Sequence, residues 1–541
     1  MHEASVEHHL LLILSLLFLV FMLIMIGQKL RIAYPIFLVL AGLGIGFIPG
    51  MPRIELEPEL VFLIFLPPLL YEAAWYTSWN DFWKWRRPIG MLAFGLVFIT
   101  SIAVAFTAQY MIPGFTLALG FLLGGIVSPP DAVAASSVLR HVKVPQRITA
   151  ILEGESLIND ASSLIVFRFA LAAVLTGQFS MGQAIGQFFL SAGMGVVIGL
   201  AIAHVMYVIH RFLPTTPSID TALTLMTPYF MYIAAEKLHF SGVMAVVSGG
   251  LFLSFRAHEI LSRSETRLQA INVWATLAFV LNGLVFILIG LELPVIMENL
   301  GEYSITEAIG YGAVISLIAI IVRLLWVFPI AYVPRWLGNM KRADLKNPPW
   351  KAPLIVGWAG MRGVVSLASA LSIPLLMQDG TPFPHRNLIL FITFVVILAT
   401  LVLQGLSLPL LVRWVGMKDT ADFPPPEEQE AGIRLRLMHV AIARLDGQWK
   451  DAADGNELVK LFREKMTNDI AVTRQQLDSF ECDASQKAEI DRYNQILLDI
   501  FDHQRRELHQ LRREKVFSDE EIRKMENELD FDEAKIVGLG H

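Results

Sequence analysis

The sequence predicts an all-α polytopic membrane protein with a soluble helical C-terminal domain. Three observations carry this. Hydrophobic types make up 55% of the 541 residues and charged types 17%, with a mean hydropathy of +0.55; an ordinary soluble domain is about 25% charged. Charge is also uneven: residues 1–415 hold 24 basic and 21 acidic side chains, whereas 416–541 hold 19 and 28. Finally, the front part resolves into apolar stretches, and a helical bilayer span needs about 20 such residues. A chain this apolar is not disordered. The single cysteine, Cys482, excludes a disulfide framework and a multi-cysteine zinc site.

Thirteen spans follow from the apolar stretches. They lie near 9–27, 34–49, 58–75, 89–112, 115–138, 148–175, 183–208, 220–236, 240–255, 271–291, 306–333, 352–377 and 387–412. The first reads as a span, because its leader MHEASVEHH carries Glu3 and Glu7 in place of a basic region and no small-residue cleavage site follows. Loop charge orients the set. With the N-terminus outside and the C-terminus cytoplasmic, seventeen Lys and Arg fall in cytoplasmic loops. Only Arg53, Lys237 and Arg386 fall opposite. Positive residues stay on the cytoplasmic side, so the expected location is a multi-pass cell-membrane protein.

Thirteen spans accommodate two inverted six-helix repeats around a seventh, an architecture common in secondary transporters. Spans 5 and 12 are then counterparts, and both are interrupted. Span 5 reads GGIVSPPDAVAASSVL, with Pro129, Pro130 and Asp131 mid-span; span 12 reads GWAGMRGVVSLASAL, with Gly357, Gly360, Arg362 and Gly363 mid-span. Proline removes a backbone donor and glycine weakens a helix. The freed groups are tolerated at that depth only against protein or a wet cavity. Two discontinuous helices crossing near the midplane therefore point to an ion site.

Seven ionisable residues lie inside the spans: Glu72, Asp131, Glu155, Asp160, Arg168, Arg323 and Arg362. Each costs roughly 2.5–3.5 kcal/mol at the bilayer centre on insertion scales. Four acids against three bases leave one carboxylate over, which a cation pathway requires. Span 6, LEGESLINDASSLIVFRF, is the richest. Ser156 and Asp160 share one helical face, and Glu155 and Asn159 the adjacent one. These hard oxygen ligands suit a small alkali cation and not a soft metal. Asn159 has the alternative of bonding a neighbouring helix, and Ser156 that of bonding back to its own. Glu155 is expected to pair with Arg362 across spans 6 and 12. Arg168 and Arg323 read as partners of acids or helix C-termini, and His204 and His210 as packing residues. Trp75, Trp79, Trp83 and Trp85 read as an interfacial aromatic belt.

SPPDAVAASSVL followed by GESLINDASSL resembles the monovalent cation/proton antiporter family of the sodium/proton exchanger type. FLPPLLYEAAW around Glu72, FILIGLEL after Asn282 and GWAGMRGVVSLASAL around Arg362 add to the likeness, which runs from about 9 to 412. The resemblance implies electroneutral exchange of sodium, or another alkali cation such as potassium, for protons by alternating access, serving pH homeostasis. No resident cofactor, nucleic acid or enzyme chemistry is implied. It also implies a homodimer, with spans 1–3 and 7–10 on the dimerisation side and a mobile core of spans 4–6 and 11–13. By the same resemblance Asp160 is the essential ion- and proton-carrying residue. Asn159 is its neighbour, and Asp131 is the aspartate of the unwound helix, with sodium held at Asp160 and Asp131. Ser156 and Glu72 assist, and Glu155 and Arg362 form a structural pair. One departure is that many relatives carry Thr-Asp-Pro where this chain has Pro130-Asp131-Ala132. Any ligand role at Pro130 is thereby limited to its carbonyl.

Beyond span 13, ADFPPPEEQE sits within a proline-punctuated linker over 416–430. Residues 431–541 read as charged amphipathic helices, either a folded helical appendage or a regulatory domain that senses pH or a ligand. One apolar stripe includes Ile433, Leu437 and Val440, and another includes Ile496, Ile500 and Leu508. Ser518 and Glu521 form a capping box for the last helix. No phosphate loop, metal cluster or nucleophile set appears, and no repeated filter motif of a channel does either.

Overall fold

The structure is a computed structural model. It describes residues 2–30, 32–49, 63–139, 142, 144–177, 181–261, 263–298, 300–301, 303–336, 350–377, 379–416, 426–450, 455–481, 484–514 and 517–537. Outside these lie residues 58–62 of the third predicted span, 417–425 of the linker, Cys482, and the loop residues Arg31, Arg53, Arg140, Lys143, Lys341, Arg342 and Lys346. The chain divides into two compact units, Met1–Asp419 and Thr420–His541.

In the first unit the helices are α1 (His2–Leu30), α2 (Tyr34–Gly46), α3 (Leu66–Tyr76), α4 (Trp79–Gly90) and α5 (Val97–Met111). Then come α6 (Leu117–Val127), α7 (Ala132–Leu139), α8 (Gln146–Thr176), α9 (Met181–Phe212), α10 (Pro217–Lys237) and α11 (Gly242–Phe255). The short α12 (Ala257–Ile260) leads to α13 (Ser264–Glu298), α14 (Ile305–Trp336), α15 (Lys351–Trp358), α16 (Val364–Leu371), α17 (Arg386–Ala399) and α18 (Gly405–Val415). Among the described residues eight helical stretches are long and apolar enough to cross a membrane, and Tyr34–Gly46 and Gly242–Phe255 are shorter apolar helices. Helix is the expected outcome, since every backbone group in lipid must be satisfied within its own segment.

Local sequence sets several ends. Ser78, Thr116, Thr216 and Ser241 cap α4, α6, α10 and α11 by accepting a backbone N–H three residues on. Gly177 and Gly416 close α8 and α18 with φ of 67° and 54°, where a side chain would be strained. Two π-helical segments, Met91–Leu96 and Thr400–Gln404, interrupt the runs α4–α5 and α17–α18. Thr400 meets the break of span 12 described below, its hydroxyl accepting the Arg362 N–H, in keeping with the placement of π-bulges at functional sites, whereas the Ala93 carbonyl accepts from Ser162 of α8.

Packing forms two apolar clusters. The larger joins α1, α2 and α13 to α5–α8 and α14–α18. The smaller joins α3, α9, α10 and α11 to one face of α8 around Leu157, Ala161 and Leu164. Helix α8 therefore has apolar neighbours in both clusters. Arg168 partners an acid as expected: its side chain, 45% exposed, is bonded to Glu236 at 2.7 Å. The pair ties the C-terminal half of α8 to α10.

The second unit consists of α19 (Pro426–Gln448), α20 (Glu457–Glu481), α21 (Ala484–Glu514) and α22 (Asp519–Val537). Arg505 bonds Asp530 and Glu533, and Arg512 bonds Glu526, tying α21 to α22. Ser518 accepts the Glu521 N–H, which supplies one half of the expected capping box.

Candidate cation-binding site

The break in span 5 separates α6 from α7 over residues 128–131, and the break in span 12 separates α15 from α16 over 359–363. The two breaks touch. The Asp131 N–H donates to the Met361 carbonyl at 2.7 Å. Gly363 approaches Asp131 so closely that a Cβ at 363 would overlap the carboxylate. A side chain at 363 would displace the Asp131 carboxylate.

Asp131 caps its own half-helix, its Oδ1 accepting the Val133 N–H at 2.8 Å. The Gly363 contact also sets its carboxylate at the start of α16. Two helix N-termini, each carrying positive dipole ends, thus converge on one negative charge. Ser156 accepts the Ala132 N–H at 3.2 Å, so α8 is tied to the same break. Asn159 donates through Nδ2 to the Pro130 carbonyl at 3.0 Å, and its Oδ1 is buried with no hydrogen-bond partner among the described residues. Asp160 is 8% exposed, and among the described residues nothing donates a hydrogen bond to its carboxylate.

Asp131, Ser156 and Asp160 line one cavity of about 760 Å³. Glu72 of α3 and Asn282 of α13 line it as well. So do the exposed residues Gln28, Tyr76 and Glu153, which mark its mouth near the C-terminal ends of α1 and α3 and the N-terminal end of α8. Those ends adjoin the loops that carry the excess of Lys and Arg. Asn282 and Glu153 were not singled out in the sequence. Ser366 of α16 was not either, although it lines the cavity and its buried hydroxyl has no partner among the described residues.

One expected pairing is corrected. Glu155 bonds Arg323 on α14, not Arg362. Arg362 instead spends its guanidinium on backbone, donating to the Val127 carbonyl at 2.7 Å and to the Gly360 carbonyl. Its own N–H is taken by Thr400 of the π-helical segment at 3.0 Å. The reason is that broken helices expose carbonyls, and a guanidinium with five donors in a fixed fork satisfies them. Arg323 also donates to the Val356 carbonyl at 3.2 and 3.1 Å, so both arginines stitch the break in span 12. Among the other histidines, His210 bonds Asp220 at 2.8 Å, with both side chains buried.

The formal charges at the junction are now countable. Apart from Glu72 and Glu153, which also line the cavity, Glu155, Asp131 and Asp160 oppose Arg323 and Arg362 at the helix breaks, a formal excess of one negative charge there. A single monovalent cation or a single proton neutralises it.

This geometry defines a membrane protein with two crossing broken helices around a carboxylate pair. The fold matches that of the sodium proton antiporter MjNhaP1 of Methanocaldococcus jannaschii, with a TM-score of 0.57 at 21% identity, over 75% of this chain and 100% of that one. Residues 15–414 match the family described as "Sodium/hydrogen exchanger, transmembrane", and the chain belongs to that family. It is 37% identical over 387 residues to a "Sodium, potassium, lithium and rubidium/H(+) antiporter" of Bacillus pumilus, covering 70% of this chain. The chain spans 57% of that relative's length. It is 31% identical over 503 residues to the uncharacterized Na(+)/H(+) exchanger YjcE of Escherichia coli K12, with 90% of each chain covered.

Proposed function

We propose that this protein is a secondary active transporter, not an enzyme, that exchanges sodium or another alkali cation for protons by alternating access. The observation that carries the reading is the lone excess negative charge at the junction of the broken helices, open to a cavity. Asp160 carries the cation or the proton, and Asp131 completes the site, with the Pro130 carbonyl held by Asn159 and with Ser156 and Glu72 in support. An empty, charged core is costly to move through the membrane interior. A core holding a cation or a proton has no such cost, and competition for one site is enough to couple the two flows. The cavity's mouth lies on the Lys/Arg-rich side, so this conformation is the inward-facing one if the N-terminus is outside. Thirteen crossings, a homodimer built on spans 1–3 and 7–10, a moving core of spans 4–6 and 11–13, and a cytoplasmic regulatory role for residues 431–541 belong to the same reading.

Two of the similar proteins support it through their names, one of which joins sodium and potassium. That name favours a second reading in which potassium is also carried. The test is a proteoliposome assay with an imposed proton gradient, in which each alkali chloride is added in turn. Wild type is expected to dissipate the gradient with sodium, and Asp160→Asn to dissipate it with none while remaining folded. Dissipation by Asp160→Asn equal to wild type would move the site elsewhere. Cation flux with no opposed proton flow would mark a channel instead.

A further inference from the structure

Helix α16 carries serines at 366, 369 and 372, spaced one turn apart. Ser369 donates to the Val365 carbonyl at 2.7 Å, and Ser372 to the Ser369 carbonyl at 2.7 Å. A helical serine commonly satisfies itself in this way. Ser366 does not. Its hydroxyl is fully buried and has no partner among the described residues. Its place in the first turn sets it apart: the residues three and four before it, Gly363 and Arg362, belong to the break, and among the described residues its hydroxyl bonds neither of their carbonyls. Burying a hydroxyl without a partner is unfavourable, yet this one lines the cavity that holds Asp131 and Asp160.

Its position relative to Asp131 follows from the helix start. Gly363 precedes the first helical residue, and Ser366 is the third. These two positions face each other, which is why a capping side chain reaches the third amide. Gly363 itself abuts the Asp131 carboxylate. Ser366 therefore stands about one helical turn from the Gly363–Asp131 contact and lines the same cavity as Asp131 and Asp160.

We propose that Ser366 is a ligand of the transported cation, its hydroxyl oxygen joining Asp131 and Asp160 in the shell of a dehydrated alkali ion. This rests on the exchange reading above. A hydroxyl suits a site that alternates between two occupants. It offers a lone pair to a cation, and it turns to donate its hydrogen to a carboxylate once the cation has left. A neutral oxygen also adds a hard ligand without adding charge, so the balance of one negative charge is preserved.

The test measures exchange in proteoliposomes for wild type, Ser366→Ala, Ser366→Cys and Ser366→Thr, with lithium, sodium and potassium at fixed pH. Melting temperatures are taken in choline buffer. Cysteine keeps the volume and replaces the hard oxygen with soft sulfur. The expected result is a rise of about tenfold in the sodium KM for the alanine and cysteine variants, with threonine within about threefold of wild type. The order of the three cations should change, and melting temperatures without alkali cation should not. An unchanged KM for all three cations in both the alanine and cysteine variants overturns the proposal. So does an equal shift for every cation together with lower melting temperatures, or failure of both variants to fold, since either marks a packing role. If wild type itself exchanges nothing, the exchange reading falls first.

Discussion

Glu155 and Arg323 are joined by two hydrogen bonds, of 2.5 and 2.9 Å, between α8 and α14, with each side chain about 1% exposed. The bidentate fork fixes the distance between the helix that carries Asp160 and the helix packed on the break of span 12. Glu155 precedes Asp160 by five residues on one rigid helix, so the pair also sets the depth of the site.

Breaking this pair from one side should be severe. Leaving a buried charge without its partner costs about 3–5 kcal/mol. Glu155→Ala and Arg323→Ala should each lower the melting temperature in detergent, whereas the double change to leucine should recover part of the loss. Single variants that melt with wild type would show that the pair contributes nothing to stability.

Competition at Asp160 gives a kinetic signature. One carboxylate that holds either a proton or a cation makes the two mutually exclusive. Lowering the pH on the cation-binding side should raise the apparent sodium KM and leave the saturated rate nearly unchanged until protons become limiting. A fall in the saturated rate at constant KM points to a separate proton site.

Stoichiometry follows from the charge count at the junction. One cation exchanged for one proton moves no net charge. Clamping the membrane potential across the vesicle with a potassium ionophore should therefore leave the sodium exchange rate the same at either sign. Acceleration by one polarity and slowing by the other would mean that a second carboxylate, such as Asp131, also titrates.

Gly363 admits little substitution. Its Cβ position is occupied by the Asp131 carboxylate, and forcing atoms into a packed interior typically costs about 1–3 kcal/mol. Gly363→Ala should reduce exchange more than it reduces stability, because the displaced group belongs to the site. Wild-type rates in that variant would place the carboxylate elsewhere.

Glu259, in the short α12, provides a pH-dependent test outside the spans. The Tyr207 hydroxyl donates to it at 2.5 Å and Arg256 at 2.6 Å. The Tyr207 bond first, then Arg256, holds its carboxyl below the usual range. A carboxylate depressed in the folded state stabilises fully above its unfolded value, about 4.3, and loses that contribution as the pH falls through the folded value. The stability difference between wild type and Glu259→Gln should hold steady above about pH 5 and shrink below it. A difference that stays constant into strong acid would mean the carboxylate is not held this way.

By itself the sequence determined which stretches are helical and where two of them break, because apolar length and a Pro or Gly cluster are local properties. It also determined that Asp131 and Asp160 are ionisable groups in apolar surroundings. What only the tertiary structure decided is partnership. Arg323 and Arg362 are indistinguishable by composition and lie at similar predicted depth. Which of them faces Glu155 depends on how α14 packs beside α8 and on which carbonyls the breaks leave free. Ser366 was illegible for the same reason. A serine in an apolar helix ordinarily bonds to its own backbone, as Ser369 does. Only the structure shows that Ser366, in the first turn of α16, leaves its hydroxyl unbonded among the described residues, and only the fold brings that helix start against the carboxylate of Asp131.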